Sequence, residues 1–197
     1  MLIRQFCSTL TIPGWLSPAE AEWLTCTVAE HPAGGVCVDC GSYAGRSAAC
    51  LAYGCKVRDD GSRVVSVDPY ERDNVLIASG NVTPADFWRN LRALGLAEYV
   101  TQYVERSPAG ADHVADSSAC LVFLDAAHDR ASVASDLAAW VPKLLPGGVL
   151  ALHDYAPGLD WTDVRAVAHE TFGAGALHEL EPPSVTGLGW WIKPQGE

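Results

Sequence analysis

A chain of 197 residues, 49% hydrophobic and 19% charged, carries enough apolar mass for one sizeable core and has no signature of disorder. Its net charge of −11 repels phosphate backbones, so no nucleic-acid partner is expected. It has no apolar run of about 18 residues and its first residues lack the long apolar region of a secretion signal. The expectation is therefore a cytoplasmic protein without membrane contact. Seven cysteines, an odd count, argue against a disulfide framework. Cys37 and Cys40 form a lone CxxC. Positions three apart on a strand face opposite sides, and no second pair completes a zinc site, so both are expected to be buried structural residues.

The pattern alternates helix and strand in one domain, 1–197, whose residues 1–30 form an amino-terminal helical segment. Ser17, Pro18 and Glu20 read as a capping box opening a helix to about Ala29, with Trp23, Leu24, Thr27 and Val28 on one face. VCVDC, residues 36–40, reads as a buried parallel strand, followed by a glycine loop and a helix of small residues ending near Gly54. VVSVD, 64–68, is the second strand. Thr83 and Pro84 open a further helix closed by Gly95, with Phe87, Leu91 and Leu94 as its stripe. Strands are expected at Tyr99 to Val104 and at CLVFLD, 120–125. A helix follows from Ala131 to Leu145, kinked or shortened at Pro142. Pro146, Gly147 and Gly148 read as a turn into a fifth strand, VLALHD. Asp160 is expected to cap a last helix to about Thr171, and the tail to form two strands. These elements define an α/β, Rossmann-like three-layer sandwich with a mostly parallel seven-stranded sheet and a carboxyl-terminal antiparallel hairpin.

Ligands of such sheets bind at the carboxyl ends of the strands. The first strand runs into Asp39, Cys40, Gly41, Ser42, Tyr43, Ala44, Gly45, Arg46 and Ser47, a GxxxG loop that lets backbone approach a ligand. A branched side chain at Gly41 is expected to block that ligand while leaving the strand intact. Asp68, at the end of the second strand, can accept both hydroxyls of a ribose. The fourth and fifth strands end in Asp125 to His128 and in His153-Asp154-Tyr155. Asp125, His128, His153 and Asp154 thus open into one crevice, able to hold a metal or move a proton.

DCGSYAGRS, VVSVDPYE and LVFLDAAHDRASVASDLAAWVPKLLPGGVLALHDY together resemble class I S-adenosylmethionine-dependent methyltransferases. The nearest group is a small bacterial family of natural-product and sugar pathways, related to macrocin O-methyltransferases and distantly to catechol O-methyltransferase. The resemblance covers about residues 20–155. It implies S-adenosyl-L-methionine as cofactor, with Asp39, Gly41 and Gly45 around its methionine part. Ser42, Tyr43, Ser47 and Asp125 belong to the same cofactor-binding set, with Asp68 on the ribose and Ser107 near the adenine. Where the family is metal-dependent, Asp125 and Asp154 bind a divalent cation. Here His153 stands where relatives commonly carry an acidic or amide ligand. An Asp125, His153, Asp154 site would admit Mg, Mn, Zn or Fe, with imidazole favouring the softer ions. The alternative is a metal-free site with His128, or secondly His153, as general base.

The implied function is O-methylation of a small-molecule acceptor, a natural product or sugar hydroxyl, with a homodimer left open. A non-methylating, hydroxylase-like metal enzyme on the same fold and a cofactor-binding protein without catalysis are the competing readings. Residues 70–82 and 182–186 are expected to border the acceptor pocket. No long amino-terminal extension of the kind some relatives fold over the substrate is expected.

Overall fold

The structure, a computed structural model, describes residues 2–71, 82–181 and 185–196. Helices α1 (Ile3–Ser8) and α2 (Pro18–Glu30) precede strand β1 (Val36–Cys40). There follow α3 (Arg46–Arg58), β2 (Arg63–Val67), α4 (Pro84–Ala93), β3 (Val100–Tyr103) and α5 (Ser107–Gly110). The second half holds β4 (Ala119–Leu124), α6 (Arg130–Trp140), β5 (Leu144–His153), α7 (Val164–Phe172), β6 (His178–Glu179) and β7 (Leu188–Ile192). The strands form one sheet in the order β3-β2-β1-β4-β5-β7-β6. The pairs from β3 to β5 are parallel, and β7 pairs antiparallel with both β5 and β6. This is the Rossmann-like seven-stranded sandwich expected from the alternating pattern.

Side-chain alternation along the strands builds two cores. Cys37, Leu121, Phe123, Val149 and Ala151 face α1 to α4, whereas Val38, Cys40, Val122, Leu150 and Leu152 face α6 and α7. Cys37 and Cys40 therefore lie in opposite layers, and all seven cysteines are free. Both capping boxes form: Ser17 with Glu20, and Thr83 with Asp86. The buried face of α2 is Glu20, Ala21, Leu24, Thr25 and Val28, rotated from the expected stripe so that Trp23 and Thr27 are only partly covered. In the α4 stripe Phe87 and Leu91 are buried, but Leu94 is an exposed cap.

Three boundaries differ from expectation. Helix α3 continues past Gly54 to Arg58, because that glycine admits Val28 of α2: a Cβ there would lie 2.7 Å from the Val28 Cβ. Pro146–Gly148 is no turn but an irregular stretch within β5. Its Gly147 and Gly148 exchange backbone hydrogen bonds with Lys193, and Leu144 and Val149 pair with Ala119 and Leu121. Finally, α7 starts after Asp163, not Asp160. Thr162 takes the Val164 amide, and Asp163 instead accepts the amide of Arg130.

Strand order reverses between β1 and β4. The crevice therefore opens beyond the carboxyl ends of β1, β4 and β5, where such sheets bind ligands.

Candidate active site

The loop after β1 is held by its own backbone. The Gly41 amide donates to the Val67 carbonyl at 2.9 Å, and the Asp125 amide donates to the Cys40 carbonyl at 2.9 Å, tying β2, β1 and β4 together at their ends. Gly41 has φ +89°, and a Cβ on it would fall 1.7 Å from the Asp125 carbonyl oxygen. The space in front of Gly41 is thus filled by β4 backbone, so a branched residue here breaks the strand ends apart; the expectation of an intact strand does not hold. Gly45, at φ +92°, caps α3 against the Phe87 ring. Tyr43, itself left-handed at φ 46°, donates its amide to Asp68 Oδ2 at 2.8 Å, and the Tyr70 amide donates to Oδ1 at 2.6 Å. Asp68 therefore stands at the crevice with both oxygens already accepting a backbone amide.

Asp39 lies fully buried on β1, facing α3. Ser66 donates to its Oδ2 at 3.4 Å, while Oδ1 has no hydrogen-bond partner. Burial raises its pKa to about 7, against the opposing pull of the Ser47 and Ser42 hydroxyls. Ser42 and Ser47 are buried beside it, with the Ser42 hydroxyl against that of Ser66. Ser107 is set apart from this group: its hydroxyl accepts the Trp140 indole N–H at 2.9 Å inside the core.

The amino-terminal segment closes over the loop. Arg46, the first residue of α3, donates to the carbonyls of Leu10 (3.0 Å), Ile12 (2.9 Å) and Leu16 (3.1 Å). Trp15 leans on the Tyr43 ring, centroids 5.2 Å apart. Pro13 to Leu16 thereby share a cleft with Gly41, Ser42, Tyr43, Ser47 and Asp125. Nothing in the sequence marked Arg46 for this, since its acceptors are carbonyls some 30 residues upstream. Arg46→Lys should lose about 1.5–3 kcal/mol of stability, because an ammonium cannot serve three carbonyls that the planar guanidinium reaches together. Faster hydrogen exchange confined to residues 9–17 would be the signature; unchanged protection there would show that the segment is held by other means.

The second half of the site is a cluster of charge. Asp125, His128 and Asp154 each offer one donor atom, and the three atoms lie within 4.8 Å of one another. His128 Nε2 approaches Asp154 Oδ2 to 2.7 Å and Asp125 Oδ1 to 3.7 Å. The Asp154 contact is off the direction of the ring N–H, so Nε2 is buried without an aligned hydrogen-bond acceptor. His153 Nδ1 stands 3.3 Å from the same two carboxylates, likewise unaligned. Its Nε2 meets the Thr186 hydroxyl at 3.2 Å and lies 3.8 Å from Glu20 Oε2. Asp154 adopts a left-handed backbone, φ 55°, just past the end of β5.

Burial lowers the pKa of His128, but Asp125 and Asp154 outweigh it and raise it to about 9. In His153 burial again lowers, and Asp125, Asp154 and Glu20 raise it to about 12. Burial alone would raise both carboxyl groups; the two imidazoles instead hold Asp125 and Asp154 below the usual carboxylate range. The two histidines also differ in access. His128 is 29% exposed and His153 only 1%. The ring that shares the cation-sized triad is thus His128, with His153 behind it as a buried partner of both carboxylates. Glu20, read in the sequence only as a helix cap, is the residue of α2 that reaches this cluster. Most of 70–82 and 182–186, expected to border the acceptor pocket, falls outside the described residues.

A family model described as a methyltransferase domain matches residues 38–155, more than half of the chain. The chain belongs to this methyltransferase family, and its fold is that of the class I S-adenosylmethionine-dependent enzymes. No curated protein sequence matches it significantly. Among solved structures it is similar to cofactor-bound Rv0187 from MTB (16% identity, 98% of this chain, 88% of that one, TM-score 0.70). It is also similar to the SAH-bound methyltransferase PaMTH1 of Podospora anserina (15%, 98% and 86%, 0.65) and to a SAM-dependent O-methyltransferase of Thermotoga maritima (14%, 100% and 73%, 0.67). At these identities the likeness is one of fold.

Proposed function

We propose that this methyltransferase moves the methyl group of S-adenosylmethionine to a hydroxyl oxygen of a small molecule, with a divalent cation at Asp125, His128 and Asp154, all within one domain spanning 1–197. One observation carries the reading. Asp125 belongs to both halves of the crevice: its backbone packs on Gly41 in the cofactor cradle, and its carboxylate stands in the charged cluster. A methyl donor in the cradle and an acceptor hydroxyl at the cluster would then meet at a single residue.

S-adenosylmethionine supplies an electrophilic methyl on a sulfonium. The Asp39 carboxylate, buried with one oxygen unpartnered, suits the ammonium of its methionine part. Asp68, oriented by the Tyr43 and Tyr70 amides at the end of β2, is the carboxylate placed to accept the ribose diol. The strap from Pro13 to Leu16 lines the cleft and would help keep water from the reacting carbon.

The acceptor oxygen must lose its proton as the new bond forms. With Asp125 and Asp154 at its Nε2, His128 is an imidazolium at neutral pH and a poor base. Two carboxylates and the His128 Nε2, whose proton a divalent cation would displace on binding, are a donor set suited to such an ion, which would lower the pKa of a bound hydroxyl. His153 holds both carboxylates from behind.

Manganese titrated into chelator-treated protein should bind at one site and weaken at least about tenfold, or about 1.4 kcal/mol, in Asp154→Asn. Chelator should abolish methyl transfer while S-adenosylhomocysteine still binds. Full turnover in chelator would instead assign proton removal to a histidine. Folded protein that binds the cofactor but transfers no methyl group to any alcohol would favour the binding-protein reading.

A further inference from the structure

We propose that the indole of Trp161 is the stacking platform for the acceptor, and that the acceptor is a planar, uncharged or cationic phenol. Trp161 lies in the connection between β5 and α7 and is 58% exposed. Its ring meets His128 edge-on, centroids 5.2 Å apart at 77°. The contact is T-shaped, and more than half of the indole surface stays in solvent beside the cluster.

Isolated exposed aromatics are ordinary on protein surfaces and by themselves mean little. This one is held in place. The Asp163 amide donates to the His128 carbonyl at 2.9 Å, and Asp163 Oδ2 accepts the Arg130 amide at 3.1 Å. Thr162 accepts the Val164 amide at 3.1 Å. The residues after Trp161 are thus pinned to the very turn that carries His128, which holds the backbone next to the indole beside the charged cluster.

Aromatic rings prefer offset-stacked contacts with centroids 4.5–7 Å apart, worth about 0.5–1.5 kcal/mol beyond the area buried. A ring stacked on Trp161 presents its hydroxyl edgewise toward His128 and Asp125, both partly exposed at this point. A non-planar ring gains less from the same face. Two carboxylates at the site and a net charge of −11 disfavour an anionic acceptor. Resting on the methyl-transfer reading, the step is a displacement. The phenol oxygen bonds to the methyl carbon, the carbon–sulfur bond breaks with its electron pair left on sulfur, and the phenol proton passes to water.

The test uses full-length protein saturated with S-adenosylhomocysteine. Phenol, catechol and 4-methylcatechol are titrated beside their saturated counterparts, cyclohexanol and cyclohexane-1,2-diols. At least one phenol should bind tenfold or more tighter than its counterpart. Trp161→Ala should weaken that phenol at least tenfold, Trp161→Phe less than threefold, and both should bind S-adenosylhomocysteine as the native protein does. Equal binding of phenols and saturated alcohols, no binding of either, or a Trp161→Ala variant with native phenol affinity would overturn the assignment. Failure to bind S-adenosylhomocysteine at all would strike the methyl-transfer reading instead.

Discussion

Gly41→Ala should cost more than about 3 kcal/mol of stability, whereas Gly61→Ala should cost about 1 kcal/mol. The two glycines have nearly the same backbone, φ +89° and φ +88°. For an L-residue that conformation costs roughly 1–2 kcal/mol at either position. They differ in space. A Cβ at Gly61 meets nothing within 4 Å, while one at Gly41 would sit 1.7 Å from the Asp125 carbonyl oxygen and 2.5 Å from its carbon. Backbone cannot swing aside as a side chain can, and this backbone is tied by the hydrogen bond from the Asp125 amide to Cys40. Separating β1 from β4 would disturb the centre of the sheet. The loss should exceed about 3 kcal/mol, a large part of the roughly 5–15 kcal/mol that stabilises a domain. Urea unfolding of both variants measures the difference. Equal midpoints would mean that the strand ends are looser than the packing implies.

Asp39→Asn should make the ligand-free protein more stable above neutral pH and poorer at binding its cofactor. In the unfolded chain Asp39 ionises near about 3.9. In the folded protein burial holds the proton up to about 7. Between those values the folded state binds more protons, so stability falls as pH rises, and the whole loss is present above about 7. Three pKa units correspond to about 4 kcal/mol as an upper bound. An amide does not titrate, and its N–H2 can donate to the Ser42, Ser47 or Ser66 hydroxyls beside it. The variant should therefore gain about 1–3 kcal/mol at pH 8, gain little at pH 4, and show a flatter pH profile between. Its affinity for S-adenosylmethionine should drop at least about tenfold, since the charge that offsets the ammonium is gone. No gain at pH 8 would show that Asp39 is comfortably ionised; undiminished affinity would remove it from the cofactor site.

Much of this was legible in the sequence, for identifiable reasons. VCVDC and CLVFLD are short apolar runs with only one kind of home, a sheet covered on both faces, and they appear there as Val36–Cys40 and Ala119–Leu124. Ser17 with Glu20 and Thr83 with Asp86 announce helix starts because capping is local chemistry. The six-residue α1 and four-residue α5 were not read, since one turn or so leaves no periodicity to detect. Asp160 read as the cap of the last helix, but the helix starts after Asp163, whose carboxylate accepts the Arg130 amide thirty-three residues away.

The site divides the same way. The rule that strand ends share a crevice brought Asp125, His128, His153 and Asp154 together correctly. Which imidazole joins the triad was not readable, because it depends on side-chain direction. His153 ends β5 with its ring toward α2 and Glu20, while the left-handed Asp154 turns back to His128. The contacts of Arg46 to the amino-terminal carbonyls and of Trp161 to His128 were not readable, because each reaches a distant chain segment that no local pattern records.

The central claim, that this crevice holds S-adenosylmethionine, is tested most directly by calorimetric titration of the purified protein with that cofactor. The account predicts one site with micromolar affinity, roughly −8 kcal/mol, displaced by S-adenosylhomocysteine. Folded protein that takes up neither molecule at millimolar concentration would contradict it.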